Sequence, residues 1–149
     1  MVLLVPFDGS PLAETALQRA AAFGEAFEKD VVALVVVPDD ETYAEERGWT
    51  DGDGFDAEAF TENLRERVES LAPEATFRVE EASDPEDEPY SSVTMNIVRT
   101  VRKVAAEVDA DIVFIGSENA GRVSQPLTSV GAPVSADPQY DVHIVRHAK

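Results

Sequence analysis

The chain has 149 residues, 30 acidic against 12 basic side chains, a net charge of −18 and no cysteine. That length fits one domain spanning 1–149 with a sizeable core, and a 44% hydrophobic content separates it from disordered acidic tails. Disulfides, thiolate metal sites and cysteine nucleophiles are excluded, and the absence of a basic footprint argues against a nucleic-acid partner.

The elements follow in chain order. Val2-Leu3-Leu4-Val5 reads as a first strand; its lack of a basic flank and the early Asp8 set it apart from a signal peptide. Ser10 offers a helix N-cap with Pro11 at the first helical position, and Leu12, Ala13, Ala16, Leu17, Ala20, Phe23 and Phe27 continue at helical spacing. Val31–Val37 is apolar on both faces, the mark of a strand inside a parallel sheet, and Pro38 ends it. Residues 38–55 form a polar, acidic, glycine-bearing excursion, with helical character at Glu41–Arg47. A helix from Asp56 to Leu71 carries Phe60, Leu64, Val68 and Leu71 on one stripe, and Thr76–Val79 alternates as an edge strand.

An acidic, proline-bearing loop at 83–90 precedes a third helix, Ser92–Val108, whose stripe is Ile97, Val101, Val104 and Val108. Ile112–Ile115 is a further apolar strand, a helical stretch lies within Pro126–Ala136, and Val142–Val145 is the last strand. Five strands alternating with four helices predict an α/β fold, an open parallel sheet with helices on both faces. Ligands of such sheets sit beyond the carboxyl ends of the strands where the winding reverses, which places a site at the loops after Val5 and Ile115.

Four segments together resemble the universal stress protein family. Val5-Pro6-Phe7-Asp8-Gly9-Ser10 resembles its opening, a strand ending in V-P-x-D-x-S before an alanine-rich helix. Ala33–Pro38 resembles its second strand, while Val113-Phe114-Ile115-Gly116-Ser117 and Val142–Arg146 resemble its fourth and fifth. The resemblance implies a Rossmann-like fold of the adenine nucleotide alpha hydrolase type with strand order 3-2-1-4-5. It further implies a cytoplasmic stress-response protein and a homodimer pairing through the last strand, at Val142, His143, Ile144 and Val145.

Nucleotide-binding members carry a G-x-x-G-(nine residues)-G-[ST] loop after the fourth strand, whose glycines let backbone N–H groups approach phosphates. By resemblance, a nucleotide here would meet Pro6, Asp8, Val36, Ile115, Gly116, Gly121, Arg122, Thr128, Ser129 and Val130. The loop departs from the pattern. Gly116 matches, but Asn119 stands at the second glycine, Gly121 comes two residues late, and Thr128-Ser129 replace the G-S pair. Thr128 adds β-branched bulk at a close approach, and Glu118 sets a carboxylate near the phosphates.

The expected function is therefore that of a dimeric regulatory or interaction protein that binds ATP weakly or not at all. The alternative is an ATP- or AMP-binding member, with Mg and at most slow hydrolysis. Two histidines outside the expected cleft and no P-loop or G-x-G-x-x-G fingerprint supply no catalytic constellation. Ser10 is read as a cap and not a nucleophile, and Asp8 as either a ribose or metal contact or an Asx turn. The fragment Asp51–Asp56 lacks the glycine and glutamate of a calcium loop, so no metal site is expected. No membrane partner is expected, since no apolar run approaches the roughly 20 residues of a span. Scattered acids beside only three lysines fit the solvated surface of a halophilic protein.

Overall fold

The computed structural model describes residues 1–38, 56–82, 93–117 and 140–148. Within them the order is β1 (Val2–Pro6), α1 (Pro11–Phe27), β2 (Asp30–Pro38), α2 (Ala57–Leu71), β3 (Thr76–Ala82), α3 (Val93–Glu107), β4 (Ala110–Gly116) and β5 (Asp141–Val145). All five strands are parallel and lie in the order β3-β2-β1-β4-β5. The helical readings at 41–47 and 126–136 lie outside the described residues.

Side-chain alternation divides the core into two layers. Leu3, Val5 and Phe7 of the first strand and its exit, with Val31, Ala33, Val35 and Val37 of β2, point to one face, where α1 and α2 cover them. Leu4, Val32, Leu34, Val113 and Ile115 point to the other, beneath Val101, Val104 and Ala105 of α3. A strand buried on both faces must be apolar throughout, and this is why the runs 2–5 and 31–37 carry no internal polar residue. β3 is an edge strand as expected, and its Arg78 bonds Glu80 in the same strand and Glu107 on α3.

Two expectations from helical spacing are corrected. Phe27 is 61% exposed, because α1 ends there and the sheet no longer lies beneath it. On α3 the core stripe is Val98, Val101, Val104 and Ala105; Ile97 and Val108 are only half-buried. The buried face keeps Val101 and Val104 but turns slightly, taking in Val98 and Ala105 in place of Ile97 and Val108.

The base of the sheet holds a device absent from the sequence reading. Register slips between Val2 and Leu3 against β4, from Val2↔Ala110 to Leu3↔Ile112, so Asp111 is the extra residue of a bulge. Its carboxylate accepts a hydrogen bond from the Val2 N–H at 3.0 Å. Asp109, just before, takes a left-handed φ of 54°. Asp111 is thus a clamp between β1 and β4.

Candidate functional site

The sheet winds from β1 outward to β3, then returns to β4 on the other side of β1. The crevice between the carboxyl ends of β1 and β4 is therefore where two chain crossings leave in opposite directions. At this end the Phe7 N–H donates to the Leu34 carbonyl at 2.7 Å, holding the exit of β1 beside β2. Pro6 pairs with Leu34 in register, and Val36 stands two residues further along β2, half-buried on the α3 side. Ile115 and Gly116 end β4 on the other flank. The structure thus brings Pro6, Asp8, Val36, Ile115 and Gly116 to one end of the sheet. Gly121, Arg122, Thr128, Ser129 and Val130 lie outside the described residues.

The turn from β1 into α1 uses its polar groups on itself. Asp8 Oδ1 accepts from the Ser10 N–H at 2.9 Å, closing an Asx turn. Gly9 follows the turn with φ 80°, and a Cβ there would come within 2.9 Å of Leu64 Cδ2 on α2. Ser10 Oγ then accepts from the Ala13 N–H at 3.2 Å, and the Ser10 carbonyl takes the Glu14 N–H at 2.9 Å. Pro11 has no N–H to offer. So Ser10 is a cap, and one oxygen of Asp8 serves the turn.

Gly116 also has an internal occupation. A Cβ at this position would meet Leu12 Cβ at 2.9 Å and Leu12 Cδ1 at 3.4 Å. The first turn of α1 therefore rests on the bare backbone at the end of β4, and glycine is required there for helix-to-strand contact. The helical period placed Leu12 on the apolar face, but only the fold sets it against Gly116.

These residues suit the planar, apolar part of a nucleotide better than its phosphates. Pro6, Val36 and Ile115 offer backbone and apolar surface. None of Pro6–Ser10, Val36, Val37 and Ile115–Ser117 is basic. Among the described residues no group of three or more histidine, aspartate or glutamate side chains is arranged to hold a metal.

Nearby, Glu14 on α1 is held by Arg67 of α2 through two hydrogen bonds, one of them 2.9 Å from Arg67 Nη2 to Glu14 Oε1. That contact keeps the Glu14 carboxyl below the usual carboxylate range. At the other edge, β5 carries the residues expected to pair two copies. Val145 is fully buried in the α1 layer, Val142 packs on the opposite layer, and Ile144 is 37% exposed. His143 stacks on Phe114 with ring centroids 4.8 Å apart. Among the described residues no helix is long and apolar enough to cross a membrane.

An open parallel sheet with this order and a crevice beside its first and fourth strands defines a doubly wound, Rossmann-like α/β protein. The universal stress protein family model matches residues 1–146, and the chain belongs to that family. No curated protein matches it in sequence. Among solved structures it is similar to a universal stress protein in complex with cAMP, with 22% identity, a TM-score of 0.57, and coverage of 100% of this chain and 98% of that one. A universal stress protein family member from Burkholderia pseudomallei has 20% identity, TM-score 0.58 and coverage of 98% and 96%. One from Archaeoglobus fulgidus, in complex with dAMP, has 16% identity, TM-score 0.55 and coverage of 97% and 96%. At these identities the structural likeness speaks for the fold.

Proposed function

We propose that this chain is a cytoplasmic stress-response member of its family that acts through contacts between copies and with other proteins, holding ATP weakly or not at all. The observation that carries this reading is the internal use of polar groups at the mouth of the cleft. The Ser10 N–H is taken by Asp8, the Ala13 N–H by Ser10, and Pro11 has none, so the start of α1 has few free donors for an anion. Glu118, Asn119 and Thr128 stand in the loop where relatives of the nucleotide-binding type keep glycine and phosphate donors. Electrostatics point the same way, because a net charge of −18 opposes approach of a polyphosphate unless salt or Mg screens it. The acidic surface suits a high-salt interior. Exposed Ile144 on edge strand β5 supports pairing of two copies there, since an open apolar edge otherwise invites unspecific pairing.

A second reading, ATP or AMP binding with Mg, draws support from the structural relatives solved with cAMP and dAMP and from the apolar flanks of the same cleft. Calorimetric titration of ATP with magnesium in concentrated salt separates the two. The first reading expects no saturable heat below millimolar nucleotide; submillimolar binding overturns it and establishes the second.

A further inference from the structure

His143 is the fifth strand's most unusual residue. It faces the α1 layer between the edge and the core, parallel to the Phe114 ring at a 27° interplanar angle. Phe114 in turn meets Phe23 of α1 edge-on at 5.8 Å. His143 Nε2 is buried and has no hydrogen-bond partner among the described residues. A neutral imidazole can leave Nε2 bare there, where stacking compensates; protonation places an N–H at Nε2 that meets neither solvent nor an acceptor among the described residues, on a ring that is otherwise half-buried.

Among the described residues, the charged groups around it do not offset that cost. On α1, Arg19 is the side chain whose charge acts on the ring, and its sign is the wrong one for a cation. Glu14, on the same helix, is committed to Arg67. Glu25 lies towards the far pole beside Lys29 and Asp30, and Glu28 forms the helix C-cap. On β4 the titratable side chain is Asp111, bonded to the Val2 N–H at the base of the sheet. On β5, Asp141 is exposed to solvent two residues before, and Arg146 beyond the strand is exposed as well. The opposite face of the strand carries Tyr140, which interacts with Arg102. Burial, with Arg19 adding to it, pushes His143 below the ordinary imidazole range.

We propose that His143 makes the attachment of β5 to the sheet sensitive to acid, the neutral ring pinning the strand on Phe114 and the protonated ring releasing it. β5 is only five residues long and, among the described residues, bonds to the sheet along β4 alone, so one unfavourable charge weighs heavily on it. The sign follows from linkage: the released strand binds the proton more tightly than the docked one, so docking is complete above the ordinary histidine range and weakens as pH falls through it. The same strand is the one at which two copies would pair, and acid would loosen it whether or not the cleft holds a nucleotide.

The chain has two histidines, and loss of a signal in His143→Phe assigns the His143 ring. NMR titration of the intact protein should show His143 titrating below the ordinary imidazole range, and Arg19→Gln should move it upward. Over the same range, hydrogen exchange corrected for its intrinsic pH dependence should show Val142–Val145 losing protection while Leu3–Val5 of β1 keep theirs. His143→Phe, which retains the stack without a titrating group, should abolish that loss. The proposal is overturned if His143 titrates in or above the ordinary imidazole range, if β5 of the wild type keeps its protection in acid, or if His143→Phe loses β5 protection as the wild type does. Should the phenylalanine variant not fold, Arg19→Gln decides the matter: the pH at which β5 loses protection should move upward together with the His143 titration, and a loss that stays put overturns the proposal.

Discussion

Replacing Gly116 with alanine separates two reasons for a glycine at the end of β4. If the position serves only to let backbone approach a phosphate, the substitution is harmless in the absence of nucleotide. The structure gives a different answer. The new Cβ would sit 2.9 Å from Leu12 Cβ, a backbone-fixed atom that cannot swing aside, and 3.4 Å from Leu12 Cδ1, which can. Carbon atoms prefer separations of about 3.5–4.0 Å, so the first turn of α1 must shift by several tenths of an ångström or more. Overpacking of this kind costs about 1–3 kcal/mol, and reduced entropy of the unfolded chain returns about 0.4–1 kcal/mol. The net loss is about 1–2 kcal/mol, or about 2–8 °C in Tm for a chain of this size. Urea unfolding at fixed salt, without nucleotide, measures it, and urea leaves the screening of an acidic protein unchanged. Leu12→Ala does not move the clashing Cβ, but it removes the δ contact and frees the helix to shift. The double variant should therefore lose less than the sum of the single ones, with a coupling of about 0.5–1 kcal/mol. A Gly116→Ala protein as stable as wild type, or strict additivity with Leu12→Ala, would refute the reasoning.

Three further outcomes are expected. Glu28 caps α1 at φ 55° and ψ 49°, a left-handed conformation that costs a side chain about 1 kcal/mol. Glu28→Gly should raise stability by about 0.5–1 kcal/mol in thermal unfolding, and a loss would show that Glu28 has a contact worth more than its strain. Because Arg67 depresses the Glu14 carboxyl, the ion pair contributes stability above the unfolded carboxylate range, about pH 4.3, and loses it as pH falls through the depressed value. The pair is solvated, with Arg67 49% exposed, so the effect is small and shrinks with salt. Glu14→Gln should flatten that part of the pH–stability curve, and an unchanged curve would dismiss the contact. Ile144→Lys should convert a dimer to a monomer by light scattering, and an unchanged dimer would remove β5 as the interface.

Sequence and tertiary structure divided the work unevenly. Strand and helix identities were legible because burial on both faces imposes unbroken apolar runs at 2–5, 31–37 and 112–115, while Ser10-Pro11 and Asp56 mark helix starts through local hydrogen bonds. The order β3-β2-β1-β4-β5 was legible too, through the family pattern and the handedness of parallel crossings. Asp8 shows the limit: its type suited both a ligand contact and a turn, and the observed bond to the Ser10 N–H shows the turn in place. What the sequence could not supply were contacts between residues far apart in the chain. Leu12 against Gly116, Asp111 against Val2, and His143 against Phe114 each depend on how strands and helices are set side by side. Local periodicity has no term for such distances. The slight rotation of α3 has the same origin, since the face a helix buries is chosen by the sheet beneath it and not by its own largest side chain.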